Sequence, residues 1–332
     1  MSKGDPKGSE FQFIDQIRQR FSFTGSELGI GDDCAVIPFS DNESYLITND
    51  SLVEDVHFSL EYMSFKDLGW KSLAVNLSDI AAMGGLPQYA LISLGLKPGT
   101  SIKFVDGLYR GIKTLAGKYG VSIVGGDTVQ SPHQLTITIA LSGEVERKHL
   151  VLRSGARAGD RILVTGDLGA SAAHRLQGRY LPPQPRVEEA ATIVKKFRPT
   201  SMLDLSDGLA GDLRRICEAG KVGAKIRLDK IPISRRTHKI ARELGQDPLR
   251  LALEGGEDYE LLFTLPRREI EKFISGIKFP LSLIGEITGK KGEILLVDKD
   301  GRPSPLEARG YEHFAAGISA INGDIAGVDD DW

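Results

Sequence analysis

The sequence predicts an α/β (α+β) protein organised as two domains, and two observations carry that expectation. Apolar runs of strand length alternate with amphipathic stretches of helical period along most of the chain. A charged, aperiodic segment, 146–157, then separates an earlier set of these units from a later one. With 332 residues there is enough chain for two cores. The domains are set at residues 1–148 and 149–318, with an acidic tail, 319–332, expected to be mobile.

In chain order, a first helix is expected over 10–21, where Phe13, Ile14, Ile17 and Phe21 share one face. A glycine-rich turn follows, Gly29-Ile30-Gly31-Asp32-Asp33, and an apolar run from Cys34 enters a core. Residues 45–48 read as a short strand running into Asn49-Asp50-Ser51. Ser64 is placed to cap a helix that carries Leu68, Leu73 and Leu77 and is stopped by Gly84-Gly85. A strand at 89–96, a helix at 101–119, a short buried strand at 121–124 leading into Gly125-Gly126-Asp127-Thr128, and a long strand at 135–145 complete the first half. The second half is expected to hold strands at 161–165, 202–205, 224–228, 259–264, 281–287 and 294–297. Its helices are expected at 170–176, 187–197 and from Gly208 to about 218, with Pro182, Pro183 and Pro185 stiffening the loop between the first two.

Composition narrows the function classes. A net charge of −3 gives no basic footprint for nucleic acid and no support for binding at a membrane surface. No apolar run approaches the ~20 residues of a membrane helix, and the polar N-terminus has no secretory apolar core. Two isolated cysteines, Cys34 and Cys217, make no disulfide framework and fit a reducing cytoplasm, Cys34 as a small core filler. The chain lacks a G-x-x-x-x-G-K-[ST] loop, H-E-x-x-H, Cys-x-x-Cys and a G-x-S-x-G elbow.

The informative residues are acids. Asp32-Asp33 alone reads more readily as a surface turn, but carboxylates held against a core are costly without a cation. Asp33, Asp50, Asp79, Asp127, Asp204 and Asp207 all sit beside glycine, at strand ends or at helix boundaries. Asp50 and Asp127 follow apolar strands, and open α/β sheets bind ligands at strand C-terminal ends. Asp79 lies among Leu77, Ile80 and Ala81 on an apolar helix, and Asp204 and Asp207 are also placed to cap a following helix. If these acids converge, only cations relieve their repulsion. Several Mg²⁺ ions suit a spread-out set, because Mg²⁺ takes one or two carboxylates together with substrate phosphates. Leu77-Ser78-Asp79 is echoed by Leu205-Ser206-Asp207, a match too short to make a repeat.

The ordered motifs resemble one family. They run Gly-Asp-Asp-Cys-Ala (31–35), Asp50 with His57, Asn-Leu-Ser-Asp-Ile-Ala-Ala-Met-Gly (76–84), Gly-Gly-Asp-Thr (125–128), Arg-Ser-Gly-Ala (153–156), Asp-Leu-Ser-Asp-Gly-Leu (204–209), Gly-Gly-Glu-Asp-Tyr-Glu-Leu (255–261) and Gly-Tyr-Glu-His-Phe (310–314). In that order the chain is similar, from Phe11 to Phe314, to the thiamine-monophosphate kinase family of the aminoimidazole-ribonucleotide synthetase-like superfamily. The resemblance implies ATP-dependent, Mg²⁺-assisted phosphorylation of thiamine monophosphate to thiamine diphosphate by a cytoplasmic enzyme. It implies an N-terminal domain that binds ATP and Mg²⁺ and dimerises through its sheet, and a C-terminal domain closing over the nucleotide. Carried over by motif, Asp33, Thr48, Asn49, Asp50, Asp79, Asp127, Asp204 and Asp207 would hold metal. Tyr109, Gly126, Asp127, Arg153 and Ser206 would contact ATP, and His57, Glu257 and Tyr311 would meet the thiamine phosphate. The family usually has Thr where this chain has Asn49, whose amide or backbone oxygen can still ligate.

The chemistry implied is self-consistent. A phosphate monoester has a second pKa near ~6 and is already largely dianionic at neutral pH, so no dedicated base is required. Bringing two polyanions together is the harder task, and metal ions perform it by neutralising charge and aligning an in-line displacement. Direct transfer without a phosphoenzyme is expected. An aromatic face and the acid Glu257 are sensible partners for a thiazolium cation. Two other readings remain at this point: another ATP-dependent superfamily member acting on an amide or selenide, and a non-catalytic nucleotide-binding regulator.

Overall fold

The computed structural model describes residues 10–21, 28–308 and 310–311. The acidic tail and the last three residues of the Gly-Tyr-Glu-His-Phe motif lie outside them. The first half runs α1 (Glu10–Arg20), β1 (Ala35–Pro38), β2 (Glu43–Val53), α2 (Phe65–Ala82), β3 (Leu86–Leu96), α3 (Ile102–Tyr119), β4 (Ser122–Gln130) and β5 (Thr136–Glu146). Its sheet has the order β1-β2-β5-β3-β4, antiparallel except for the parallel β3–β4 pair.

The second half runs β6 (Arg161–Thr165), α4 (Ala170–Leu176), α5 (Val187–Lys196), β7 (Ser201–Asp204), α6 (Leu209–Gly220), β8 (Gly223–Arg227), α7 (Arg235–Glu243) and α8 (Pro248–Glu254). It continues with β9 (Leu261–Leu265), α9 (Ile270–Gly276), β10 (Leu281–Thr288), β11 (Ile294–Val297) and β12 (Pro303–Pro305). These strands form a seven-stranded sheet in the order β12-β11-β8-β10-β6-β9-β7. Among the described residues no helix is long and apolar enough to cross a membrane.

Helix α2 joins the halves. Ser64 caps it as expected, accepting the Asp67 N–H at 3.1 Å, and left-handed Gly84 follows its end. One side of α2 packs on β2 and β5, the other on α5 and β7. It is therefore buried nearly all round, which explains why Lys71, Ser72, Asn76 and Ser78 are inside along with Leu68, Leu73 and Leu77. The α2–α3 crossing is made at backbone distance: a Cβ on Gly69 would lie 1.9 Å from the Leu108 carbonyl oxygen, and one on Gly111 2.0 Å from that of Lys66.

Three expectations are corrected. Asp50 lies within β2, not after it, because the polar Asn49-Asp50-Ser51 run keeps its ladder with Ala140, Ile139 and Thr138 of β5. The strand expected to be short and buried at 121–124 is the nine-residue β4, which pairs only with β3 and is exposed throughout. Finally, α6 follows Gly208 with no side-chain cap, so neither Asp204 nor Asp207 caps it. The apolar stripe of α1 is present but exposed, at 46% for Phe13 and 47% for Ile17.

Candidate active site

Side chains alternate along β2, so Thr48 and Asp50 face the helices while Asn49 faces the other side of the sheet. Thr48 Oγ1 donates to Asp79 Oδ2 on α2, and the Asp50 N–H donates to Asn76 Oδ1 at 3.2 Å. Asp204 ends β7, against which α2 packs, so two elements from different halves carry Asp79 and Asp204 to one point. The turn after Gly31 delivers Asp33. Carboxylate oxygens of Asp33, Asp79 and Asp204 all lie within 4.8 Å of one another. Thr48, Asn49, Asp50, Arg153 and Ser206 line the same cleft of about 460 Å³.

The electrostatics are severe. Burial raises Asp79 well above the usual carboxylate range, and the charges of Asp50, Asp204 and Asp33 raise it further. Asp204 is pushed up to about 7 by burial and then Asp33, and Asp50 to about 6 by burial and then Asp33 and Asp207. Arg153 answers part of this: its guanidinium forks onto Asp33, with Nε 3.3 Å from Oδ2. Asp32 has a separate task, accepting the Arg153 backbone N–H at 3.1 Å and the Asp33 N–H at 3.2 Å. One Asp204 oxygen, Oδ2, is buried without a hydrogen-bond partner. Three convergent carboxylates with an unmatched oxygen are the donor set of a hard, oxygen-seeking cation, so the residues fit Mg²⁺.

A second cluster adjoins the first. The Glu257 N–H donates to the Ser206 carbonyl at 2.7 Å, and the Tyr311 N–H to that of Asp207 at 3.1 Å. Glu257 has left-handed backbone (φ 62), as has Tyr259 (φ 51), a strain that local function often requires. Its carboxylate is engaged by Lys71 Nζ and by Arg175 Nη1, the latter at 2.8 Å. Lys71 also donates to the His57 carbonyl at 2.5 Å. His57 Nδ1 accepts the Val53 N–H at 3.0 Å, which leaves the ring hydrogen on Nε2 in the neutral form. Burial pushes the Glu257 carboxyl up, but Lys71 and Arg175 more than reverse this and the net displacement is downward.

Other expected residues stand apart. Gly126 and Asp127 lie on exposed β4, with β5 and β3 between them and β2. Three strand spacings, about 14 Å, separate β2 from β4. Asp127 is in register with Ser93, on the face opposite Ile92 and the helices. A Cβ on Gly126 would fall 1.8 Å from the Ile92 carbonyl oxygen, which accounts for the glycine structurally. Tyr109 is 37% exposed on α3, outside the cleft. Asp207 pairs with Arg215, which also holds buried Asp212 at 2.9 Å.

Lys71, Arg175 and Arg215 were not singled out from sequence. Lys71 had a signal: it falls three residues after Leu68 and four before Val75, on the buried stripe of α2.

Profiles of one family cover both halves: "AIR synthase related protein, N-terminal domain" matches residues 31–145 and the corresponding C-terminal domain residues 157–298. The thiamine-monophosphate kinase of Bacillus subtilis is 34% identical over 327 residues, covering 92% of this chain and 99% of its own. That of Escherichia coli K12 is 36% identical, covering 92% and 96%. Among solved structures, AaThiL complexed with AMPPCP and TMP superposes with a TM-score of 0.82 at 32% identity, covering 94% of this chain and 100% of that one. The thiamine monophosphate kinase of Aquifex aeolicus gives 0.75 at 32% identity, covering 88% and 97%.

Proposed function

The chain belongs to the AIR synthase related family, and from that premise we propose that it transfers the γ-phosphoryl group of ATP to thiamine monophosphate. The products are ADP and thiamine diphosphate. The observation that carries the reading is the convergence of Asp33, Asp79 and Asp204, from a turn, a helix and a strand end, beside Arg153. The substrate pair is supported by the names of the relatives and by the ATP analogue and TMP of the AaThiL complex.

Asp33, Asp50, Asp79 and Asp204 would hold Mg²⁺, which supplies charge neutralisation and alignment for an in-line displacement. The Thr48 hydroxyl orients Asp79. Arg153 offers a planar fork to phosphate oxygens, and Asp32 fixes its backbone. The acceptor phosphate needs no base, so transfer is direct, without a phosphoenzyme. Backbone bonds from Glu257 and Tyr311 to Ser206 and Asp207 keep the acceptor residues beside the nucleotide residues.

The same reading includes a homodimer and a cytoplasmic location, the latter in keeping with two free, buried cysteines. Tyr45, Ile47, Tyr89 and Leu91 are exposed on the sheet face away from the helices, an apolar patch that a second copy would cover. Asp127 and Asn49 share that face, so a partner's Asp127 and Gly126 could reach the cleft that their own chain holds them away from. The decisive experiment measures ADP release from ATP and Mg²⁺ with and without thiamine monophosphate. Release stimulated by that acceptor is expected; nucleotide binding without turnover would favour a regulator instead.

A further inference from the structure

Resting on the kinase reading, the geometry points to Asp212 of α6 as the positioning residue that aligns the nucleotide end of the site with the acceptor end. Its side chain is wholly buried, at 0% exposure, so it acts through its neighbours.

Both of its carboxylate oxygens serve Asp207. Oδ2 accepts the Asp207 N–H at 3.0 Å. Oδ1 accepts Arg215 Nη1 at 2.9 Å, and Arg215 Nη2 donates to Asp207 Oδ2. Asp207 is thus held at its backbone directly and at its side chain through Arg215. A carboxylate taken out of water is costly unless its oxygens are matched, and here every match leads to one residue. Helix α6 follows Gly208 with no side-chain cap, so an acid reaching back to the backbone ahead of the helix does the task of a capping-box acid. Capping alone would need only the N–H bond. The Arg215 bridge adds control of the Asp207 side chain.

What hangs on Asp207 gives that control a use. It follows Ser206, which lines the carboxylate cleft. The successive carbonyls of Leu205, Ser206 and Asp207 accept the N–H groups of Tyr259, Glu257 and Tyr311, at 2.9, 2.7 and 3.1 Å. Glu257 and Tyr311, expected at the acceptor, are therefore tied to the stretch of backbone that Asp212 fixes. The same helix secures the segment leading to Tyr311. Arg214 Nη2 donates to the Ala308 carbonyl at 2.9 Å, and a Cβ on Gly310 would lie 2.8 Å from the Gly211 Cα. Residues 211–215 thus hold two segments that meet at the bond between Tyr311 and Asp207. In-line transfer needs both substrates in one alignment, and a misplacement of about 1 Å costs on the order of a hundredfold in rate.

The test compares Asp212→Asn and Arg215→Met with the wild type, as full-length enzyme, on ATP with Mg²⁺ and thiamine monophosphate. Turnover is expressed per site titrated with a non-hydrolysable ATP analogue, so that unfolded protein is not counted. Each variant should lower kcat per site by about tenfold or more, with both KM values within about twofold of the wild type, because both substrates still bind but out of line. The double variant should lose little more than either single one, since the pair acts as a unit. Arg215→Lys, which keeps the charge without the fork, should recover part of the rate. Arg215 is 21% exposed, so its variants decide the matter should Asp212→Asn not fold. An unchanged kcat per site, with or without fewer sites, would overturn the assignment, as would a rise in one KM alone. Absence of turnover by the wild type with thiamine monophosphate would overturn the kinase reading, and the alignment role with it.

Discussion

Lys71 and Glu257 meet across the two halves of the chain, a buried ammonium from the middle of α2 against a carboxylate on a left-handed loop residue. Lys71 is 2% exposed, and its other contact is the carbonyl of His57. One side chain thus fixes the positions of two residues expected at the acceptor.

Replacing Lys71 by Met should be costly. Removing one partner of a buried pair costs about 3–5 kcal/mol, and retention of Arg175 on Glu257 puts this substitution at the lower end. The urea midpoint should fall with little change in slope. KM for thiamine monophosphate should rise at least tenfold while KM for ATP stays near the wild-type value. A parallel rise in both would mean that Lys71 serves the fold alone.

The same pair sets a pH dependence. The Glu257 carboxyl is held below its ordinary value in the folded protein. Its contribution to stability is therefore present above the unfolded carboxylate pKa of about 4.3 and is lost as pH falls through the lower folded value. Between pH 6 and 3 the wild type should lose more stability than Glu257→Gln, as read by denaturant titrations at each pH. Parallel loss in the two proteins would contradict this.

Asp33→Asn should lower kcat by a hundredfold or more, on the order of the loss of one preorganised electrostatic group, with the circular-dichroism spectrum unchanged. Added Mg²⁺ should raise the melting temperature of the wild type by mass action on the folded state and that of the variant much less. Near-normal turnover would refute the metal assignment.

The outer sheet face gives a fourth expectation. Leu91 is 48% exposed there, so Leu91→Asp should fold. In sedimentation velocity the wild type should run as a dimer and the variant as a monomer, and the monomer should lose activity because Asp127 then has no cleft to complete. A fully active monomer would dispose of the shared site.

Much of this was legible in the amino-acid order, and the exceptions have physical causes. The Ser64 cap, the Gly84 stop and the 161–165 and 294–297 strands were read correctly, because local chemistry and period decide them. The extent of β2 was underestimated, since Asn49-Asp50-Ser51 reads as a turn until β5 supplies the ladder. Reading the strand through to Val53 would have put Asn49 and Asp50 on opposite faces by simple alternation. Polar α7 offers only Ile240 and Ala241 as apolar residues, and apolar α8 is too short to show a helical period. The convergence of Asp33, Asp79 and Asp204 follows from the acids and the family pattern. That Lys71 and Arg175 already neutralise Glu257 is a tertiary fact, set by how α2 and α4 meet one loop.

The glycine crossing of α2 and α3 has a mechanical meaning. At Gly69 and Gly111 backbone meets backbone, so at those two points no side chain lies between the helices to absorb a displacement. The two pack as one unit there, and α2 carries Lys71 and Asp79 about two turns apart. Lys71 of the acceptor clamp and Asp79 of the carboxylate cluster therefore share one support, and a shift of α3 at this crossing bears on both.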